Sequence, residues 1–124
     1  METKRIILLV EDELAQRVAL RDKLRKEGFG ILEAKNGEEG LASALKDKPD
    51  LILLDIMMPK MDGLEMARRL RQDEWGKHAK VVILTNSPDM ENIRRSLEDE
   101  VFEYFVKSDT KIEYIIDRIK KIVK

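Results

Sequence analysis

Leu51-Ile52-Leu53-Leu54-Asp55-Ile56-Met57-Met58-Pro59-Lys60-Met61-Asp62-Gly63 is the stretch on which the fold turns, because an unbroken apolar run ends on a single carboxylate. A short run of Leu and Ile suits a strand buried on both faces, as in a parallel sheet covered by helices. Asp55 then stands at the carboxyl end of an interior strand, the end at which open α/β sheets bind their ligands. Pro59 biases Met58 towards an extended conformation and Asp62-Gly63 supplies a turn, so the chain leaves the strand by a defined loop before a new helix.

Working outward, Ile6-Ile7-Leu8-Leu9-Val10 is a second such run, followed at once by Glu11-Asp12-Glu13. The residues 14–27 carry strong helix formers and close on Gly28, although Leu14, Val18, Ala19, Leu20 and Leu24 are only loosely periodic. A weaker strand over 29–34 leads through an Asn36-Gly37 turn into a short helix over 38–46, with Leu41, Ala44 and Leu45 inward. Beyond the Asp55 strand, Asp62 caps a helix over 64–73 with Leu64, Ala67 and Leu70 as its inner stripe and a basic far side of Arg68, Arg69 and Arg71.

Trp75-Gly76-Lys77-His78 reads as a polar connection into Val81-Val82-Ile83-Leu84, which stops at Thr85. Met90, Ile93 and Leu97 form a helical stripe, and residues 103–106 a brief strand running into Lys107. Thr110-x-x-Glu113 resembles a capping box opening a last helix, whose stripe of Ile112, Ile115, Ile116, Ile119, Ile122 and Val123 is the clearest 3.6-residue period in the chain. Five strands alternating with five helices predict a doubly wound α/β fold of flavodoxin-like type, a five-stranded parallel sheet in the order 2-1-3-4-5. The length of 124 residues fits one domain, 1–124.

Composition narrows the partners. Lys+Arg 24 against Asp+Glu 25 gives a net charge of -1 and no general attraction to nucleic acid or an anionic membrane. Cysteine is absent, which removes disulfides, thiolate metal sites and cysteine nucleophiles. The apolar run after the N-terminal Met1-Glu2-Thr3-Lys4-Arg5 is too short for a secretory core or a membrane span, so a soluble cytoplasmic protein is expected.

The polar residues fall at strand ends: Glu11 and Asp12 after the first strand, Asp55 after the third, Thr85 after the fourth and Lys107 after the fifth. Taken singly, each has an ordinary reading: Glu11 or Asp12 as a helix cap, Asp55 as a turn residue, Thr85 as a loop hydroxyl, Lys107 as an edge gatekeeper. Together they crowd carboxylates at one edge, which suits a hard divalent ion with oxygen ligands, Mg²⁺ best of all. A hydroxyl and an ammonium opposite such acids match the chemistry of a phosphoryl group carried on a carboxylate.

The acidic pair Glu11-Asp12, the D-x-x-x-P-x-x-D-G run from Asp55 to Gly63, Thr85 ending VVILT, and Lys107 after Tyr104-Phe105-Val106 stand in one order and spacing. In these features the whole chain resembles a response-regulator receiver domain of two-component signalling. The resemblance implies that Asp55 is the phosphoacceptor and that Glu11, Asp12, Asp55 and the Met57 backbone carbonyl hold Mg²⁺. It implies that Thr85, Lys107 and the Asn86 backbone N–H hold phosphoryl oxygens, and that Tyr104 is the switch aromatic.

It further implies a histidine kinase or histidine phosphotransfer protein as donor and a downstream protein as target, with a surface of the fourth helix, fifth strand and fifth helix altered by phosphorylation. The expected particle is a monomer or a phosphorylation-dependent dimer that catalyses only its own phosphorylation and dephosphorylation, without direct nucleic-acid or membrane contact. Since no output domain follows Lys124, it would act by protein contact, as a phosphorelay intermediate, or as a receiver cut from a longer protein. The chain departs from the family pattern at Ser108, where proline is usual, at Asn86 and at Glu100-Val101, while Met57 and Ser87 occupy the positions that tune phosphoryl loss in the family.

The alternative is a phosphorylation-independent interaction module of the same fold, against which Asp55, Thr85 and Lys107 all stand. A flavin binder is disfavoured because the first loop offers Glu-Asp-Glu where a phosphate cradle needs small donors. A phosphohydrolase is disfavoured because Met57 occupies the place of a second acid.

Overall fold

The computed structural model describes residues 4–55, 63–85, 103–106 and 110–123. Five strands, β1 (Ile6–Val10), β2 (Gly30–Ala34), β3 (Leu51–Leu54), β4 (Val81–Thr85) and β5 (Glu103–Val106), form one sheet in the order β2-β1-β3-β4-β5, parallel throughout. The expected topology is the observed one. Helices α1 (Leu14–Lys26), α2 (Gly37–Asp47), α3 (Gly63–Leu70) and a last helix (Ile112–Ile122) cover it. The expected fourth helix around Met90, Ile93 and Leu97 lies outside the described residues, as does the Asp62 cap.

The apolar runs are buried on both faces, as their lack of alternation requires. Leu8, Val10, Ile52, Leu54, Val81 and Ile83 pack with Ala44, Met66, Ala67 and Leu70 on the side of α2 and α3. Ile7, Leu9, Leu51, Leu53, Val82 and Leu84 point the other way, onto Leu20 and Leu24 of α1 and Ile115, Ile116 and Ile119 of the last helix. The period-two pleat thus divides one continuous run of aliphatic residues between two cores. Phe105 joins the second core and meets Tyr114 edge-on, ring centroids 5.9 Å apart.

Local chemistry sets the element ends. Asn36 caps α2 by accepting from the Glu39 amide at 2.9 Å, so the helix starts at Gly37, one residue earlier than its composition suggests. Lys48 closes it in the left-handed region at φ 48. In α2, Gly40 lies where an added Cβ would come within 2.9 Å of the Met66 sulfur and about as close to Val10, so the helix sits close against the sheet and α3.

Three expectations are corrected. The helix over 64–73 ends at Leu70, where the chain turns through Asp73 and a short 3-10 helix, Gly76–His78. Arg71 does not join a solvated basic face: its Nη1 turns inward to the Gly76 and Ala79 carbonyls at 2.6 and 2.8 Å, bracing that connection. Thr110 is not the cap of the last helix. Lys111 holds the N-cap position without a side-chain cap bond, and the T-x-x-E pattern is therefore one residue out of phase.

Candidate functional site

Two strand ends build the site. The sheet ladder continues past β1 and β3 in single bonds: the Glu11 amide donates to the Ala34 carbonyl at 3.0 Å and the Asp55 amide to the Val10 carbonyl at 3.0 Å. Val10 is level with Leu54, so Glu11 and Asp55 are the next residues on adjacent strands. Both acids share the pleat parity of Ile7, Leu9, Leu51 and Leu53, which brings them to the same side of the sheet.

Carboxylate oxygens of Glu11, Asp12 and Asp55, one from each, lie within 4.8 Å of one another. Glu11 is 2% and Asp55 8% exposed, whereas Asp12 faces solvent. Anions this close in a largely buried place repel strongly unless a cation joins them. The donor set fits one: the three donors among the described residues are carboxylate oxygens, and the exposed side at Asp12 leaves room for retained water, the preference of Mg²⁺. When bound, such an ion supplies positive charge beside Asp55. The three acids therefore come together as their places at the strand ends predict.

Thr85 ends β4, one residue past the level of Asp55 given that Leu54 pairs with Ile83, and its backbone is level with Val106, the residue before Lys107. Tyr104 lies in β5, its backbone level with Ile83. Met57, Asn86 and Lys107 lie outside the described residues. His78 is exposed on the 3-10 helix, away from the acids in the fold.

The structure adds a group that sequence reasoning passed over. Arg17, in the first turns of α1, donates from Nη1 to the Glu11 carbonyl at 2.9 Å and from Nε to Glu33 Oε1 at 3.1 Å. Glu33 Oε2 in turn accepts from Arg21 at 3.3 Å. The Arg21 guanidinium, bonded to Asp22 first and Glu33 second, has its pKa raised. An arginine one helical turn beyond Glu13 was the available signal, but Glu33 is 16 residues away and only the β1–β2 pairing brings it near.

The fold and the acid cluster define a doubly wound α/β domain with carboxylates suited to a metal ion at the carboxyl edge of its sheet. A family model described as "Response regulator receiver domain" matches residues 7–120, and the chain belongs to that family of two-component signalling domains. It is 37% identical over 123 residues to the transcriptional regulatory protein ResD of Bacillus subtilis, spanning 99% of this chain and 49% of that protein, so the chain covers about half the length of that relative. It is 34% identical to the sporulation initiation phosphotransferase F of the same organism, over 93% of this chain and 90% of that protein. Among solved structures, the response regulator protein TrrA of Thermotoga maritima, in complex with Mg²⁺-BeF, superposes with a TM-score of 0.81 at 34% identity, covering 95% of this chain and 98% of that one. Among the described residues no helix is long and apolar enough to cross a membrane.

Proposed function

We propose that residues 1–124 act as one phosphorylation-dependent switch, with Asp55 as the phosphoacceptor. The observation that carries this is the convergence of Glu11, Asp12 and Asp55 within 4.8 Å at the strand ends of a receiver-family chain. Asp55 is the member best suited to be the nucleophile, since it ends the central strand and its short side chain is held close to the sheet.

In the reaction a carboxylate oxygen of Asp55 attacks phosphorus, and the bond from phosphorus to the donor breaks. From a phosphohistidine donor the imidazole leaves with the electron pair of the P–N bond. Glu11, Asp12, Asp55 and the Met57 carbonyl would hold Mg²⁺, whose charge offsets that of the phosphoryl oxygens. Lys107 would pair with one phosphoryl oxygen, while the Thr85 hydroxyl and Asn86 N–H donate to others. Engagement of Thr85 would draw in Tyr104 and change the surface built from the fifth strand and the helices beside it.

The reading makes a histidine kinase or phosphotransfer protein the donor and a protein the downstream target, in the cytoplasm, with catalysis confined to the chain's own aspartyl phosphate. The relatives named for phosphotransfer and for Mg²⁺-BeF binding support it. Intact-mass measurement after incubation with acetyl phosphate and Mg²⁺ tests it. One phosphoryl adduct, lost in Asp55→Asn and in chelator, is expected. A folded, Mg²⁺-binding protein that takes no adduct from acetyl phosphate or from a histidine-phosphorylated donor would instead indicate a phosphorylation-independent interaction module.

A further inference from the structure

We propose that Arg17 is a positioning residue for the cation site, a strut that fixes the Glu11 backbone and with it the loop carrying two of the three acids. This rests on the reading that Glu11, Asp12 and Asp55 bind Mg²⁺.

Three of the bonds that anchor Glu11 join it to described residues. Its amide donates to Ala34, its Oε2 accepts from the Glu13 amide at 3.2 Å, and its carbonyl accepts from Arg17. The first continues the sheet and the second is local to the loop. The Arg17 bond ties the loop to a helix side chain and, through Glu33, to strand β2. Helix capping does not do this work: Glu13, at the N-cap of α1, makes no side-chain capping bond, and the first turn of that helix contains no acid. The Arg17 amide also donates to the Glu13 carbonyl at 2.9 Å, so the side chain is stationed where it can reach back over the loop.

The Arg17 side chain is only 15% exposed and its planar fork is used in two directions, Nε to Glu33 and Nη1 to Glu11. A lysine has the charge but not the fork. Charge and geometry also predict opposite signs. A cation behind a cluster of acids disfavours a divalent ion, so if Arg17 acted by charge alone, removing it would tighten Mg²⁺ binding. Glu33 and Asp22 together oppose the charges of Arg17 and Arg21, which leaves the geometric effect. Removal of the strut then loosens the loop and weakens binding, as loss of the groups that orient metal ligands does, by about 10-fold or more.

The test is Mg²⁺ titration by calorimetry of the intact chain, comparing wild type with Arg17→Ala and Arg17→Lys, alongside acetyl phosphate labelling across Mg²⁺ concentrations. The expected result is a rise of about tenfold in the Mg²⁺ Kd for both variants. The half-saturating Mg²⁺ for labelling should move by the same factor, while the rate at saturating Mg²⁺ stays close to wild type. A purely structural defect would lower that plateau. Wild-type or tighter Mg²⁺ binding in Arg17→Ala overturns the strut, and should that variant not fold, undiminished binding in Arg17→Lys does the same. Absence of Mg²⁺ binding in the wild type would sink the cation-site reading itself, a result distinct from either.

Discussion

The Asp55 amide donates to the Val10 carbonyl at 3.0 Å, so the candidate phosphoacceptor is hydrogen-bonded to the residue immediately before Glu11. The bond fixes how far apart the two buried acids can be. Adjacent strands in a sheet lie about 4.8 Å apart, and carboxylates projecting from the same rung inherit a separation of that order.

Crowding of this kind has a thermodynamic signature. With no divalent ion present, Asp55→Asn should raise stability by about 1 kcal/mol, because one of three mutually repelling charges is removed. Mg²⁺ should stabilise the wild type by about 2.7 kcal/mol at 100 times its Kd and lift the variant far less. Thermal unfolding followed by circular dichroism, in chelator and across Mg²⁺ concentrations, reads both effects. A variant less stable than wild type in chelator would show that the Asp55 carboxylate gains more from its neighbours than repulsion costs it.

Loss of the Asn36 cap should cost about 1 kcal/mol, since Asn36→Ala leaves the Glu39 amide without its side-chain acceptor at the start of α2. Urea denaturation is the appropriate measurement, with Asn36→Asp as a control that keeps the acceptor.

Lys48 holds a left-handed conformation at φ 48, which costs an L-residue with a Cβ about 1–2 kcal/mol. Lys48→Gly should therefore stabilise the protein, by about 0.5–1 kcal/mol once the greater freedom of glycine in the unfolded chain is set against that relief. An unchanged or lower urea midpoint would argue against strain at this position.

At Gly76 an added Cβ would lie 1.9 Å from the Leu70 carbonyl oxygen, an atom of the backbone that cannot step aside. Gly76→Ala should cost about 3 kcal/mol and displace the turn that follows α3. Gly28, with positive φ but nothing within 4 Å of a would-be Cβ, provides the contrast: Gly28→Ala should suffer conformational strain without a clash, a smaller loss of about 1 kcal/mol.

The sheet was legible because its signal is redundant. Each aliphatic run, 6–10, 51–54 and 81–84, marks a two-faced interior strand by itself, and the acids and threonine that stop the runs are marked by the same boundaries. The strand-end acids could be assigned to one edge before their distances were known, since parallel strands present all their carboxyl ends together. Single-residue phase was less legible. The capping pattern at Thr110 places the helix start one residue early, because Lys111 takes the extended N-cap conformation with no side-chain bond to announce it. Arg71 reads as solvent-facing because its acceptors are carbonyls of Gly76 and Ala79, and carbonyls leave no trace in a residue pattern. The same holds for Arg17, whose target at Glu11 is also a main-chain oxygen.

The rung shared by Glu11 and Asp55 makes the acid pair insensitive to the lengths of the segments between strands. Residues added to the connections after α1 or α2 would leave the pair in place, whereas a single residue added within β1 or β3 would send one acid to the opposite layer. The connections are thus open to variation in length, and the short aliphatic strands are closed to it.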